Sequence, residues 1–340
     1  MDALGAHSYD TLVELERESY YEKKLRRWWS PFSCGDQELI LQLLRDATAL
    51  LHTTLDWHLL EVITSCWDPS LRCITIGYVD LVTTLEEYDC FLSLSTPLST
   101  IFIPPVRIRY RKKLTDLIGF VRPVVEALTW YGIGIGGSLS FDFLHDQFHS
   151  LERLISYRDN FVDLEKRWTS YRRQTFLTAF FGAVRFPLPS GAVDFAFLPL
   201  VSALPHGTSF IPTLLSETIR SLSLCWEASR GRLGCCVNML QLWFCSHLSV
   251  IARDQPMGFV GRNRIRATVV LDPPFSGDTD GSLRYLCSLS PNDWTWKVKW
   301  GITRWQGQTH CVGLLGIPLV GIWGCTRYFS SMAMRHFGGI

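Results

Sequence analysis

The sequence predicts a mainly α-helical protein with a few short β-strands. Apolar residues recur at helical spacing in several long segments, whereas strict alternation of apolar and polar residues is confined to short runs. Hydrophobic residues make up 47% of the 340 residues and charged residues 19%, a ratio that argues against disorder and supplies a large core. Thirteen tryptophans and twenty phenylalanines indicate an aromatic-rich interior, because each of these side chains buries a large area.

Residues 1–35 are predicted to form a charged helical arm ahead of the main domain. In this segment glutamates precede basic residues at helical spacing: Glu14, Glu16, Glu18 and Glu22, then Lys23, Lys24, Arg26 and Arg27. This order of charges suits a helix whose surface is solvated. Residues 36–340 are predicted to form a single large helical domain.

The first part of that domain shows two helix starts and one strand. Asp36 begins a segment with an apolar face that extends to Leu51, which predicts a helix. Residues 73–81 are short and rich in β-branched side chains, which is typical of a strand. Thr84-Leu85-Glu86-Glu87 is a capping box, in which the threonine hydroxyl accepts an orphan helix N–H, so a helix is expected to follow. Residues 93–112, which contain three prolines, are predicted to be irregular.

Four further segments carry helical periodicity. Residues 141–155 have apolar side chains on one face, and residues 161–171 have them on another. Pro212 suits the first turn of a helix that runs to residue 228. Residues 235–248 are predicted to form the next helix, after a break that contains two glycines.

The C-terminal third is predicted to contain a long loop and a strand. Residues 251–282 are rich in proline, glycine and aspartate, which predicts a loop. Residues 294–300 alternate tryptophan or valine with polar side chains, which is typical of a strand with one buried face.

Charge, cysteine usage and hydropathy predict the compartment. The formal net charge of +1 provides no global attraction to nucleic acid or to an anionic membrane. The eleven cysteines include no CxxC pair, and the N-terminal residues lack the basic-then-apolar order of a secretory signal. No window reaches the ~18 uninterrupted apolar residues of a spanning helix. We therefore expect a soluble, reduced, intracellular protein with free thiols.

Three segments, taken together, resemble one plant family. The first is residues 67–73 with Leu81 and residues 84–88. The second is residues 212–218 with Cys235-Cys236 and residues 243–248, and the third is Gly324-Cys325 with residues 333–338. All three occur in order over residues 60–338, which makes the match more specific than any one segment. The chain thereby resembles the plant mobile domain, a family also labelled aminotransferase-like, and within it the subgroup related to retroelements. Thr83 stands where this family usually has proline.

The resemblance implies a mostly helical fold and transposon-related ancestry. It also implies localisation to the nucleus, since better-known relatives are nuclear proteins linked to silencing and genome maintenance. It does not imply transaminase activity, because no lysine is marked for a Schiff base with pyridoxal phosphate. We accordingly expect no cofactor.

The sharpest local motif is a pair of histidines, His145 and His149. On a helix they would share one face and could chelate zinc, as in HExxH metalloproteases, with Asp146 in place of the glutamate base. The third ligand is not obvious, and Glu152 and Glu165 are the candidates. The favoured interpretation is a polar helix face with two exposed histidines and no metal.

Other catalytic patterns are incomplete. Residues 132–137 satisfy GxGxxG, but the preceding strand and the later acidic residue of a dinucleotide site are missing, so a loop is favoured. There is no phosphate-binding GxxxxGK[ST] motif and no nucleophile elbow. The cysteines and histidines never show zinc-finger spacing. Glu86 and Glu87 are sufficiently explained by helix capping, and the chain is predicted not to be an enzyme.

Two rows of basic residues occur at alternate positions in the sequence. The first row is Arg107, Arg109 and Arg111, followed by Lys112, and the second is Arg262, Arg264 and Arg266. In extended segments each row would place its guanidiniums on one side, and Lys297 and Lys299 with nearby tryptophans would extend a surface that follows phosphates. The chain lacks the basic excess of a dedicated nucleic-acid binder, so solvated faces are favoured.

The sequence thus favours a non-enzymatic scaffold or interaction protein derived from a mobile element. One alternative is a nuclear, nucleic-acid-associated protein that uses the arginine rows. Another is a metal-dependent hydrolase centred on His145 and His149. No small-molecule substrate and no membrane association are indicated, and the identity of any protein partner is left open.

Overall fold

The fold is mainly helical, which confirms the predicted class. The computed structural model describes residues 12–16, 20–52, 55–92, 101–105, 110–121, 124, 138–150, 164–188, 191–249, 277–295, 316–329 and 331–333. The α-helices of these residues are α1 (Tyr20–Trp29), α2 (Cys34–Leu44), α3 (Trp57–Ser65), α4 (Leu85–Leu92), α5 (Tyr110–Ile118), α6 (Phe141–Phe148), α7 (Leu164–Phe180), α8 (Leu198–Ala203), α9 (Ile211–Ala228), α10 (Val237–Ser246) and α11 (Thr279–Ser288). Shorter helical turns follow α2 at Arg45–His52 and α7 at Phe181–Arg185.

The strands are short and form small sheets. They are β1 (Glu14–Leu15), β2 (Trp67–Asp68), β3 (Cys73–Ile76), β4 (Val79–Leu81), β5 (Ser138–Ser140), β6 (Ala192–Asp194), β7 (Arg230–Gly231), β8 (Ile317–Val320) and β9 (Cys325–Tyr328). Strands β2, β3 and β4 form an antiparallel sheet, and β5 with β6 and β8 with β9 form antiparallel pairs. The predicted strand over residues 73–81 is therefore a hairpin, in which Gly77 adopts a positive φ of 58° at the turn.

The N-terminal segment belongs to the core. Leu25 and Trp28 on α1 have no exposed surface, and Val13 and Leu15 before it are also buried. Strand β1 pairs in parallel with β7, which follows α9 in the chain. Lys23, Arg26 and Arg27 are exposed on α1, as a solvated helix predicts, but the apolar residues between them form a second, buried face. Glu14, which was expected in the same helix, lies in strand β1 instead. The predicted arm therefore shares one core with the residues that follow it.

Helix α9 is the central element of the fold. Pro212 lies in its first turn, as predicted, and most of the helix from Ile211 to Leu222 is buried. The helix packs against α3, α4 and the β8–β9 hairpin. The hairpin is held by polar contacts, because Ser216 Oγ donates to the Leu319 carbonyl over 3.2 Å and the Trp323 N–H donates to Glu217 Oε1 over 2.8 Å.

Two predicted irregular segments contain helices. Residues 93–112 were predicted to be irregular, but α5 begins within them at Tyr110, after the prolines. Residues 251–282 were predicted to be a loop, but α11 begins at Thr279. The Asp278 carboxylate caps α11 by accepting the Gly281 N–H over 2.6 Å, so an aspartate that suggested a turn starts a helix. The remaining residues of the predicted loop lie outside the described part of the chain.

Aromatic side chains dominate the interior, as predicted. The largest side chains without significant exposure include Trp28, Trp243, Phe141, Phe176 and Phe180. The cysteines whose side chains are described are free thiols, as expected. None of the described helices is both long and apolar enough to cross a membrane.

Replacing Gly321 with alanine should destabilise the fold by about 1–3 kcal/mol through overpacking. A Cβ atom there would lie 2.3 Å from Glu217 Oε1 and 2.9 Å from Ser216 Oγ, and both residues are buried on α9. Gly35→Ala is the matched control, since no heavy atom lies within 4 Å of its Cβ position in the first turn of α2. Urea denaturation of both variants measures the difference, and equal midpoints would contradict this account of the hairpin contact.

Candidate functional site

A buried carboxylate, Glu87, lies at the centre of a polar network between α4 and α10. Its Oε2 atom accepts a hydrogen bond from Trp243 Nε1 over 2.8 Å and another from the Thr84 hydroxyl over 2.9 Å. The Glu87 backbone N–H in turn donates to Thr84 Oγ1 over 3.2 Å, so the predicted cap on α4 is present. Thr84, Glu87 and Trp243 have no exposed surface. The carboxylate is thus held by donors from two segments more than 150 residues apart in the chain.

His247 completes this network from the other side of the carboxylate. Its Nε2 lies 3.4 Å from Glu87 Oε1, and its Nδ1 lies 2.8 Å from the Thr295 carbonyl oxygen. A carbonyl only accepts, so Nδ1 carries a proton and Nε2 faces the carboxylate. The Nε2–Oε1 separation of 3.4 Å is within ion-pair distance. His247 has no exposed surface, so this contact is buried in the core.

Only part of this network was predictable from the sequence. The capping box identified Thr84 and Glu87, but capping alone does not account for the contacts of Glu87 with Trp243 and His247. The available signal was the spacing of Trp243 and His247, which lie four residues apart, one turn of α10. Which residue they meet depends on how α4 packs on α10, and that is a tertiary property.

A second acidic group lies on α4, at Asp89. Its Oδ1 atom is buried and has no hydrogen-bond partner among the described residues. The pKa of Asp89 is raised to about 6, mainly by burial, while Arg45 opposes the rise and the nearby Glu86 adds to it. This carboxyl group is therefore a cost to the folded state whenever it is ionised.

The two predicted histidines come together on α6. Their imidazole rings are stacked, with centroids 4.5 Å apart and an interplanar angle of 5°. His145 Nδ1 lies 3.3 Å from Asp146 Oδ1, and His149 Nδ1 lies 3.0 Å from the His145 carbonyl oxygen. Ligand atoms of the three residues all lie within 4.8 Å of one another. The expectation of two exposed histidines is wrong, because the His145 side chain is only 13% exposed.

The surroundings of His145 are mainly aromatic. Trp28 makes an edge contact with its ring at a centroid distance of 5.7 Å, and Phe141 stacks at 6.2 Å. Burial lowers the pKa of His145, and Asp146 acts in the opposite direction. Glu165, one of the third ligands considered from the sequence, belongs to α7, but its side chain and the whole of Glu152 lie outside the described residues. Asp146 is the carboxylate that the structure places beside the histidines.

The arginine rows are mostly outside the described residues. This holds for Arg107, Arg109, Arg262, Arg264, Arg266, Lys297 and Lys299. Arg111 and Lys112 belong to the first turn of α5, so the extended row predicted through them is wrong at this end. A helix turns successive residues by about 100°, which removes the one-sided alternation on which that interpretation depended. Lys112 is exposed, and Lys113 donates to Ser202 Oγ over 3.2 Å.

A small cleft lies between α1, α10 and the segment after α7. Its volume is about 40 Å³, and its walls include Glu22, Asn238 and Arg232. Burial raises the pKa of Glu22, while a 3.0 Å hydrogen bond from Asn238 Nδ2 to its Oε1 opposes the shift. The cleft has room for a few water molecules, which is too little for a substrate or a nucleotide.

Comparison with known proteins assigns the chain to a family. The family described as Domain of unknown function (DUF7745) matches residues 44–340. The chain belongs to this family. The DUF7745 match includes the Glu87 network and the histidines of α6, and it begins at the last residue of α2. No curated protein matches the chain, and no solved structure matches it.

Breaking the Glu87 network should strongly destabilise this DUF7745 protein. We expect Glu87→Ala to lower the free energy of unfolding by about 3–5 kcal/mol, because it leaves buried donors without their acceptor. Trp243→Phe, which keeps the ring packing and removes one donor, should cost about 1–3 kcal/mol. Asp280→Ala is the control, since its pair with Arg284 is exposed on α11 and such pairs contribute below about 1 kcal/mol. Urea denaturation gives the three values, and a Glu87→Ala effect as small as the control would refute the network's structural role.

The pH dependence of stability should report on Asp89. Between its ordinary pKa of 3.8 and its folded pKa of about 6, the folded state holds the proton and the unfolded state does not. Stability must therefore fall as pH rises through this window. Asp89→Asn should remove that part of the fall and raise the melting temperature at pH 7. Thermal melts of both proteins from pH 4 to 7 test this, and parallel curves for the two would show that the carboxyl group does not titrate as described.

Proposed function

We propose that this chain is a non-enzymatic interaction protein of mobile-element origin. The proposal rests on the position of the side chains that could act in acid–base catalysis. Glu87 and His247 form a carboxylate–imidazole pair of the kind used in acid–base catalysis, and neither has any exposed surface. A catalytic acid or base must come within hydrogen-bond reach of the substrate proton it transfers. The pair instead joins α4, α10 and the segment at Thr295, which supports a structural role.

The surface offers apolar side chains that suit a protein partner. Tyr78 is fully exposed in the β3–β4 turn, and Leu71 is 46% exposed in the turn after β2. Leu224 and Trp226 are 50% and 40% exposed near the end of α9. The sheet and the helix are joined by a 3.0 Å hydrogen bond from Trp67 Nε1 to Ser223 Oγ. Large exposed apolar and aromatic residues on adjoining elements favour a contact with another protein.

The resemblance to the plant mobile domain supports the ancestry in this proposal. Its segments at residues 84–88 and 243–248 include Thr84, Glu87, Trp243 and His247, which contact one another in the core. Residues that stabilise a fold through contacts of this kind give a physical reason why two chains should resemble each other at these positions. Nuclear localisation is part of the proposal and rests on the resemblance alone.

The proposal is tested by recovering partners of the tagged chain from plant nuclear extracts that have been treated with nuclease. We expect a defined protein partner to co-purify in stoichiometric amount after the treatment. Replacing Leu224 and Trp226 together with aspartate should abolish its recovery, because charges at these positions oppose burial in an interface. Leu39→Asp on α2, at a site 46% exposed, is the matched control and should leave recovery unchanged.

Two outcomes would overturn this function. Loss of every partner after nuclease treatment, with direct binding of the purified chain to nucleic acid that weakens steeply as salt increases, would establish the nucleic-acid alternative. Equal recovery with the aspartate variant and with wild type would show that neither Leu224 nor Trp226, which lie on different sides of α9, belongs to the interface. Circular dichroism of the variants confirms that each compared protein is folded.

A further inference from the structure

We propose that His145, Asp146 and His149 form a binding site for one divalent transition-metal ion of the Zn²⁺ class. The three side chains provide two imidazole nitrogens and a carboxylate oxygen, a donor set that suits zinc and its neighbours in the first transition row. The site is separate from the Glu87 network and from the exposed apolar surface. It neither requires nor follows from the proposed function.

The local geometry is close to what an ion requires. At metal–ligand distances of 2.0–2.1 Å, two ligand atoms of a tetrahedral site are separated by about 3.3 Å. His145 Nδ1 and Asp146 Oδ1 already lie 3.3 Å apart. All three ligand groups lie within 4.8 Å of one another, so a ligand group has to move by at most roughly 1.5 Å to reach the tetrahedral spacing. This movement requires the parallel rings to tilt, because lone pairs in stacked planes do not converge on one point.

The scaffold behind these ligands is fixed. Arg172 on α7 donates to the carbonyl oxygens of Phe148 and His149 over 3.1 and 3.2 Å, which anchors the end of α6. The other end of α6 is capped by Ser140, whose hydroxyl accepts the Phe143 N–H. Because the backbone of α6 is held at both ends, only side-chain rotation is needed to bring the ligands to the ion. Such a fixed scaffold favours ion binding more than a flexible segment would.

Hydrogen bonds to the imidazoles also favour ligation. His149 Nδ1 lies 3.0 Å from the His145 carbonyl oxygen and donates to it, which leaves the Nε2 lone pair for an ion. His145 Nε2 is buried and has no hydrogen-bond partner within the described part of the chain. Its Nδ1 is therefore the nitrogen that meets the polar side of the site, next to Asp146. The Asp146 side chain is 57% exposed, so an ion can enter from solvent along it.

The charged side chains near the site do not oppose the binding of a divalent cation. Lys24 acts electrostatically on His145, and its charge is offset by Asp142 at 2.6 Å. The guanidinium of Arg172 is directed at backbone carbonyls and lies over the Phe32 ring, 4.2 Å from its centroid. Arg173 pairs with Asp36. The one ligand carboxylate, on Asp146, is then available to neutralise part of the charge of the ion, with water completing the coordination.

Calorimetric titration of the full chain with Zn²⁺ tests the proposal. We expect one tight site per chain, and a rise in melting temperature when the ion is bound. His149→Ala and Asp146→Asn should each weaken Zn²⁺ binding at least about tenfold. Asp146→Asn preserves the shape of an exposed side chain, so it remains informative if the histidine variant folds poorly. His206→Ala, at an exposed histidine outside α6, is the matched control and should bind as wild type does.

Cobalt spectroscopy identifies the ligands. A tetrahedral Co²⁺ complex at this site should show visible ligand-field bands without the near-ultraviolet charge-transfer band of thiolate ligands. That band would assign the ion to cysteines such as the exposed Cys34, Cys287 or Cys325 and would overturn the proposal. Unchanged affinity in both His149→Ala and Asp146→Asn, or no stoichiometric site in wild type, would overturn it as well.

Discussion

Burying a carboxylate in a protein core is unfavourable without hydrogen-bond donors, and this constraint organises the fold around Glu87. Desolvating a carboxylate costs several kcal/mol, and each properly placed donor offsets part of that cost. The donors of Glu87 come from Thr84 before α4 and Trp243 on α10, while His247 faces its second oxygen. Only one relative placement of α4 and α10 satisfies all of them, so the network specifies how these helices pack.

A second buried carboxylate, on α9, is also held by hydrogen-bond donors. Glu217 is also without exposed surface, and it accepts from Arg220 Nε and from the Trp323 N–H, both over 2.8 Å. The absence of a side chain at Gly321 lets the β8–β9 hairpin approach this carboxylate. Each of the two carboxylates thus accepts a hydrogen bond from a segment distant in sequence. Glu87 joins α4 to α10, and Glu217 joins α9 to the β8–β9 hairpin. Aliphatic and aromatic packing fills the core, and these polar contacts select the arrangement.

Arg172 has a comparable role on the N-terminal side. Its guanidinium donates to carbonyls of Pro31, Phe148 and His149 and lies over the Phe32 ring. These contacts join the segment after α1 and the end of α6 to the middle of α7. The histidine pair therefore lies on a helix end that two other elements hold in place. The described part of the chain has two chemically distinct features. One is the buried Glu87–His247 pair in the core, and the other is the partly exposed group of His145, Asp146 and His149 on α6.

Much of the secondary structure was predictable because it depends on neighbours along the chain. Helical periodicity identified α2, α6, α9 and α10, and the capping pattern at Thr84 located the start of α4. Two helix starts were missed, since prolines and aspartates that suggested loops lie immediately before α5 and α11. The burial of α1 was also missed, because Leu25 and Trp28 form its apolar face but are surrounded in the sequence by charged residues.

The sequence by itself determined the helical class, the free thiols and the spacing of His145 and His149. Only the tertiary structure decided that Glu87 meets Trp243 and His247, because that contact joins residues 156 positions or more apart and depends on helix packing. It likewise decided that Asp146 is the carboxylate beside the histidines, and that their rings stack partly buried near Trp28. Periodicity and spacing report on one helix at a time, whereas burial and hydrogen-bond partners are set by the elements that pack against it.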